Sequence, residues 1–122
     1  MTFDALRTLC LAFPGATEEM PFGPDALVFK VGGKLFALTN LARLPQTVAW
    51  KGAPEANREL RARHDVRGAY HLHKVHWNEA ELRGALPDDA LRDQLATSYA
   101  LVAAGLPKAV RDGLGAENPP EV

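Results

Sequence analysis

The densest concentration of chemically able side chains in this sequence runs from Arg58 to His76. Arg58, Arg61, Arg63, Arg67 and Lys74 stand there against only Glu59 and Asp65, so the segment is locally positive in a chain of net charge −1. All 4 histidines, His64, His71, His73 and His76, fall in the same window, with Tyr70 and Trp77 interleaved. Cationic groups can contact phosphates and aromatic rings can stack on bases, so the pattern suits nucleic acid. A solvated polar face beside an ordinary strand accounts for the same charges, because most charge runs are only surface. Below pH ~6.5 the imidazoles gain charge, so anion affinity through this patch is expected to climb as pH falls.

Other chemistry is weakly signalled. The spacing His71-x-His73-x-x-His76 would let two imidazoles share an ion if His71 and His73 lay on one strand, with Glu79 or Glu81 completing the set. Lys74 between them opposes a dication and no cysteine is near, so no metal is expected. Cys10 falls on the apolar face of a helix, where a thiol is usually a small core residue. Ser98 is the only serine and sits mid-helix without the glycines of a nucleophile elbow. Gly32-Gly33-Lys34 lacks the leading glycine and trailing hydroxyl of a phosphate-binding loop. Glu18-Glu19 belongs to a loop and Asp88-Asp89 to a helix start, where solvation and dipole compensation explain them. No catalytic residues and no cofactor are expected, and the chain reads as a non-enzyme.

The elements that position these groups follow from periodicity and punctuation. Leu6, Leu9, Cys10 and Phe13 make one face of an N-terminal helix, with Thr2 as N-cap and Pro14-Gly15 as stop. Residues 14–25, rich in proline and glycine, read as a loop. Leu27 to Val31 and Leu35 to Leu38 form a hairpin through Gly32-Gly33-Lys34, which puts Lys34 at its tip. Thr47 to Lys51 reads as a strand with Val48 and Trp50 on one face. Pro54 opens a polar helix over 54–64 whose thin apolar stripe is mainly Ala56 and Leu60. Residues 66–82 hold one or two further strands. Leu91, Leu95, Tyr99 and Val102 stripe the strongest helix, opened at Asp88-Asp89 and closed by Gly105 and Pro107. One more turn is expected beyond it, then a Pro-rich tail.

Order and bulk properties bound the fold. The elements do not alternate as βαβ units, so the expected class is α+β: a two-layer arrangement, an antiparallel β-sheet backed by N- and C-terminal helices. At 122 residues the chain is one domain over 1–122, with an ordered core about 2–108 and a tail over 109–122. Hydrophobic residues at 47% and charged ones at 24% are those of a globular domain rather than a disordered chain. One cysteine excludes an intramolecular disulfide. No apolar run long enough to span a membrane and no signal-peptide pattern is present, so a soluble, cytoplasmic protein is expected. A near-neutral total means that any nucleic-acid affinity must be local.

Several motifs, in order, resemble the MmcQ/YjbR family: Pro21-Phe22-Gly23; Val28-Phe29-Lys30-Val31-Gly32-Gly33-Lys34-Leu35-Phe36-Ala37; and Tyr70-His71-Leu72-His73-Lys74-x-His76-Trp77-Asn78. Leu86-Pro87-Asp88, Ser98-Tyr99 and Gly105-Leu106-Pro107-Lys108 continue the likeness, which spans about Leu6 to Lys108. The resemblance implies a frataxin-like (CyaY-like) fold and DNA binding through a double-wing arrangement, with no catalytic residues to carry over. Matching positions are Lys30, Lys34, Tyr70, His71, Lys74, His76 and Trp77. His73 and Glu79 depart from the pattern, standing in place of an Asn and a hydroxyl residue. The expected nucleic-acid site is therefore Lys34, Arg58, Arg61, Arg63, Arg67, Tyr70, His71, Lys74, His76 and Trp77, with DNA as partner. The alternative is a protein-interaction or small-ligand domain that uses the Tyr70 to Trp77 surface.

Overall fold

The structure is a computed structural model that describes residues 1–69 and 72–117, the side chains of 115–117 excepted. Helix α1 (Phe3–Ala12) is capped by the Thr2 hydroxyl, which accepts from the Ala5 N–H, and buries Leu6 and Cys10. Strands β1 (Ala16–Glu19), β2 (Ala26–Val31), β3 (Lys34–Asn40) and β4 (Thr47–Lys51) follow, then helix α2 (Pro54–Arg63). Strands β5 (Arg67–Gly68) and β6 (Trp77–Glu81) precede helices α3 (Asp88–Ala104) and α4 (Lys108–Glu117). Among the described residues the sheet has 6 strands, paired antiparallel throughout in the order β1-β2-β3-β4-β6-β5. This is the α+β, helix-backed antiparallel sheet expected from element order.

Two expectations change. Residues 16–19, read as loop, form β1, an edge strand whose order comes from its ladder to β2 rather than from its own residues. Beyond Pro107 the chain does not stop after a turn: α4 runs through Glu117 and buries Leu114 in the main core. Leu106 and Val110, at the α3–α4 junction, pack over the β2–β3 turn. A Cβ on Gly32 would lie 2.6 Å from the Leu106 side chain, and Gly32 and Gly33 both adopt positive φ (56° and 80°). The primed turn thus requires both glycines, and the helix junction lying on it requires Gly32 a second time.

One sheet face is covered. Leu27, Phe29, Val31, Phe36, Val48, Trp50 and Ala80 meet Leu6 and Cys10 of α1 and Leu91, Leu95 and Val102 of α3 in one buried cluster. Phe13 stacks on Tyr99 at 4.8 Å, and Phe36 meets both rings edge-on. The Tyr99 hydroxyl donates to the Pro14 carbonyl, and Trp50 Nε1 donates to Gln94 at 3.1 Å. The opposite face carries a smaller cluster, Val28, Leu38, Ala49 and Ala69, flanked by Leu35, Leu72 and Trp77. No described helix packs over that cluster, and every candidate binding surface follows from this asymmetry.

Burial pushes the Cys10 thiol up to about 12. Its neutral form is favoured in the fold, so its contribution to stability is intact below the unfolded thiol value near 8.5 and declines as pH rises through the range up to about 12. The native protein is expected to resist thiol-modifying reagents at pH 8 and to react only on unfolding; prompt modification of the folded chain would contradict the placement.

Candidate functional site

The arginines expected to act together are separated by α2 itself. Helical residues advance about 100° each, so Arg58 and Arg63 are roughly 140° apart around the axis. Both are exposed. Arg61 turns inward instead. Its Nε donates to Asn78 Oδ1 at 3.0 Å, and Nη2 donates to the Lys74 and Trp77 carbonyls at 2.7 and 2.9 Å. Partial burial pulls its pKa down from the ordinary guanidinium value. Arg67 is engaged by Glu79, with Nη2 3.2 Å from Oε1. The expected five-residue basic patch is therefore not one patch: Arg61 is a structural strut and Arg67 half of an ion pair.

Arg61 belongs to a buried amide network. Asn57 Nδ2 donates to the Gly52 and Val75 carbonyls, both at 2.9 Å, and Asn57 Oδ1 accepts from Asn78 Nδ2 at 2.7 Å. The buried residue of α2 is thus Asn57, whereas Ala56, expected in the apolar stripe, is exposed. This network fastens α2 to β6 and to the connection that carries His73, Lys74 and His76. Lys74 and His76 lie in a turn and His73 in neither a strand nor a helix, while the expected pairing of His73 with His71 involves a position that is not described. His71 and Tyr70 lie outside the described residues. The His73 and His76 rings are 4.8 Å apart, and among the described residues no three His, Cys, Asp or Glu side chains group as a metal site requires.

Register brings together cations that are distant in sequence. The β2–β3 turn bears Lys34, and β4 ends beside the start of β3 with Lys51. Lys51 is opposite Trp77, the first residue of β6, and the turn with Lys74 leads directly into that strand. One end of the sheet therefore carries Lys51 beside Trp77 on the open face, with His73, Lys74 and His76 in the connection before Trp77; Lys34, opposite Val31 of the covered core, is at the neighbouring hairpin tip on the other face. Among the described residues no carboxylate is within ion-pair distance of Lys34, Lys51 or Lys74. Lys30 is different, paired with Glu19 at 2.6 Å. Lys51 escaped the sequence reading, although Val48 and Trp50 facing inward already implied that Lys51 faces out.

At the other end the open face sinks into a cleft of about 770 Å³. Leu38, Asn40, Thr47, Glu79 and Glu81 form its floor, the 20–25 and 41–46 loops its walls, and Arg67 and Leu72 its far side. Asn40 Nδ2 donates to Thr47 Oγ1 at 2.7 Å, and that hydroxyl is 3.5 Å from Glu79 Oε2. Glu79 is thereby held on both oxygens, by Arg67 and by Thr47. Nothing in the local sequence marked this cleft, because its residues come from five separate segments.

Fold and surface together define a small α+β domain with one covered and one open sheet face. The chain belongs to the YjbR family, which matches residues 11–101. It is 36% identical over 100 residues to the uncharacterized protein YjbR of Escherichia coli K12, covering 81% of this chain and 85% of that protein. It is 31% identical over 108 residues to the uncharacterized protein YbdF of Escherichia coli O157:H7, covering 86% of this chain and 87% of that one. Among solved structures, the DUF419-domain protein DR2400 of Deinococcus radiodurans superposes with a TM-score of 0.87 at 38% identity, over 98% of this chain and 92% of that one. A Pseudomonas syringae protein shares the fold, with a TM-score of 0.74 at 22% identity over 84% of this chain and 99% of its own. Among the described residues no helix is long and apolar enough to cross a membrane.

Proposed function

We propose that this chain is a non-enzymatic binding domain that engages nucleic acid, DNA in the first instance, weakly and with little sequence preference. The observation that carries this reading is that Lys51 and Trp77 are register partners at one end of the sheet, the turn with Lys74 leads into Trp77 and Lys34 stands at the tip of the neighbouring hairpin, the three lysines being without carboxylate partners among the described residues. Lysines there neutralise phosphates as mobile point charges, the β2–β3 hairpin serves as a wing that follows the backbone, and the Trp77 ring offers a stacking face. Arg58 and Arg63, exposed on different sides of α2, are not counted among these contacts, and Arg61 acts only by holding the loop.

If three phosphates are neutralised, log K against log salt for duplex DNA falls with a slope of about −2.7. Fluorescence anisotropy with labelled duplex between 50 and 200 mM salt measures it. The Lys34→Gln, Lys74→Gln double variant is expected to reduce the slope to about −1, since each lost contact removes roughly 0.9. No binding at about 100 μM protein in low salt, against ordinary non-specific affinities, would end the proposal.

A second reading, protein interaction through the Tyr70 to Trp77 surface, is favoured by Val75, which stands 50% exposed two residues before Trp77. Affinity capture with and without nuclease separates the two, because partners tethered by nucleic acid disappear on digestion.

A further inference from the structure

We propose that the cleft at the opposite end of the sheet is a second, independent binding site for a small amphipathic amine, a primary ammonium group on an aromatic or aliphatic body. Its volume falls in the range of small-molecule sites, roughly 300–1,000 Å³. Its apolar surface is presented outward: Phe22 is 70% and Leu44 91% exposed at the rim, one on each wall, above Leu38 and Leu72. Large apolar groups facing each other across a concave opening lose hydration when an apolar body lies between them.

Charge selects what that body carries. The lining holds three carboxylates, Asp25, Glu79 and Glu81, and two guanidinium groups, Arg43 and Arg67. Arg67 is committed to Glu79, and Thr47 occupies the second oxygen of that carboxylate. Asp25 and Glu81 have no cationic partner within ion-pair distance among the described residues, which leaves the cleft one negative charge in excess. Glu81 is half-buried on the floor, where screening by water is reduced. An ammonium group there gains a charge-assisted hydrogen bond, and the Phe22 ring adds a cation–π face at the mouth. A carboxylate on the same body would meet the two uncommitted acids, Asp25 and Glu81, against the single uncommitted guanidinium of Arg43. Lys34, Lys51 and Lys74 lie at the far end of the strands, so this site does not depend on the nucleic-acid reading.

The probe is 2-phenylethylammonium, titrated into the isotope-labelled protein by amide NMR, with 3-phenylpropionate as the anion of similar shape. The amine is expected to give saturable shifts confined to residues 22–26, 38–47 and 79–81, and the anion none at the same concentration. Glu81→Gln is expected to weaken the amine at least fivefold and Phe22→Ala about threefold, the scale of one charged contact and one aromatic contact. If Glu81→Gln does not fold, Asp25→Asn on the exposed wall replaces it with the same expectation. No saturable shift, equal binding of the anion, shifts centred on Lys34 to Lys51, or undiminished affinity in the carboxylate variants would each overturn the proposal.

Discussion

Asn57→Ala is expected to destabilise the fold by about 3–5 kcal/mol, measured as a shift in the denaturant midpoint at unchanged slope. The side chain is 2% exposed and is used on both ends: its amide nitrogen serves the Gly52 and Val75 carbonyls, and its oxygen takes the Asn78 amide. Alanine leaves those groups without their partner where water does not readily replace it, at about 1–3 kcal/mol for each buried orphan. Gly52→Ala attacks the same knot from the other side. A Cβ there would sit 2.2 Å from Asn57 Oδ1, and the amide cannot swing away without breaking its own three bonds. Both variants should also loosen the connection before Trp77, because Val75 and, through Arg61, Lys74 and Trp77 are tied to the same knot. A loss below about 1 kcal/mol in both would show the network to be incidental.

That knot also explains which parts of the site were legible from residue types alone. A hairpin closed by two glycines, a helix begun by Pro54 and a striped helix behind Asp88 are local signals, written within a few residues and read without the fold. Membership of the basic site is different. Arg58, Arg61 and Arg63 are chemically alike and lie within six positions, yet helical rotation sends one inward and the others outward. Only the depth of Asn57, an amide where the apolar stripe was sought at Ala56, decides that rotation. Lys34, Lys51 and Lys74 fall at one end of the sheet only once β2–β3, β3–β4 and β4–β6 are in register, which is non-local information. The same reason hid β1, whose alternation over Ala16–Glu19 spans four residues, and the cleft, which draws on five segments.

Ser98→Ala is expected to remove about 2–4 kcal/mol, the second largest single effect, although the side chain loses only one oxygen. The β2–β3 register shifts between Phe29 and Lys30: Phe29 is opposite Ala37 and Lys30 opposite Leu35, so Phe36 is the extra residue of a bulge. The shift turns Phe36 as well as Ala37 toward the helices, which fits an apolar run too continuous for strict alternation. A bulge leaves ladder groups unpaired, and the Ser98 hydroxyl resolves this by donating to the Phe36 carbonyl at 2.6 Å while accepting from the Lys51 N–H at 2.8 Å. The only serine in the chain is thus a bridge from α3 to β3 and β4, fully buried, rather than a nucleophile. Ser98→Thr keeps both hydrogen-bonding roles and should recover much of the loss if its added methyl group is accommodated; Ser98→Cys, a weak donor of similar shape, should not. Because the same hydroxyl fixes the end of β4, Ser98→Ala should also perturb the backbone resonances of Lys51 and Gly52 before any global unfolding. Wild-type stability in Ser98→Ala would mean that the bulge carbonyl finds another donor and that the bridge has no energetic role.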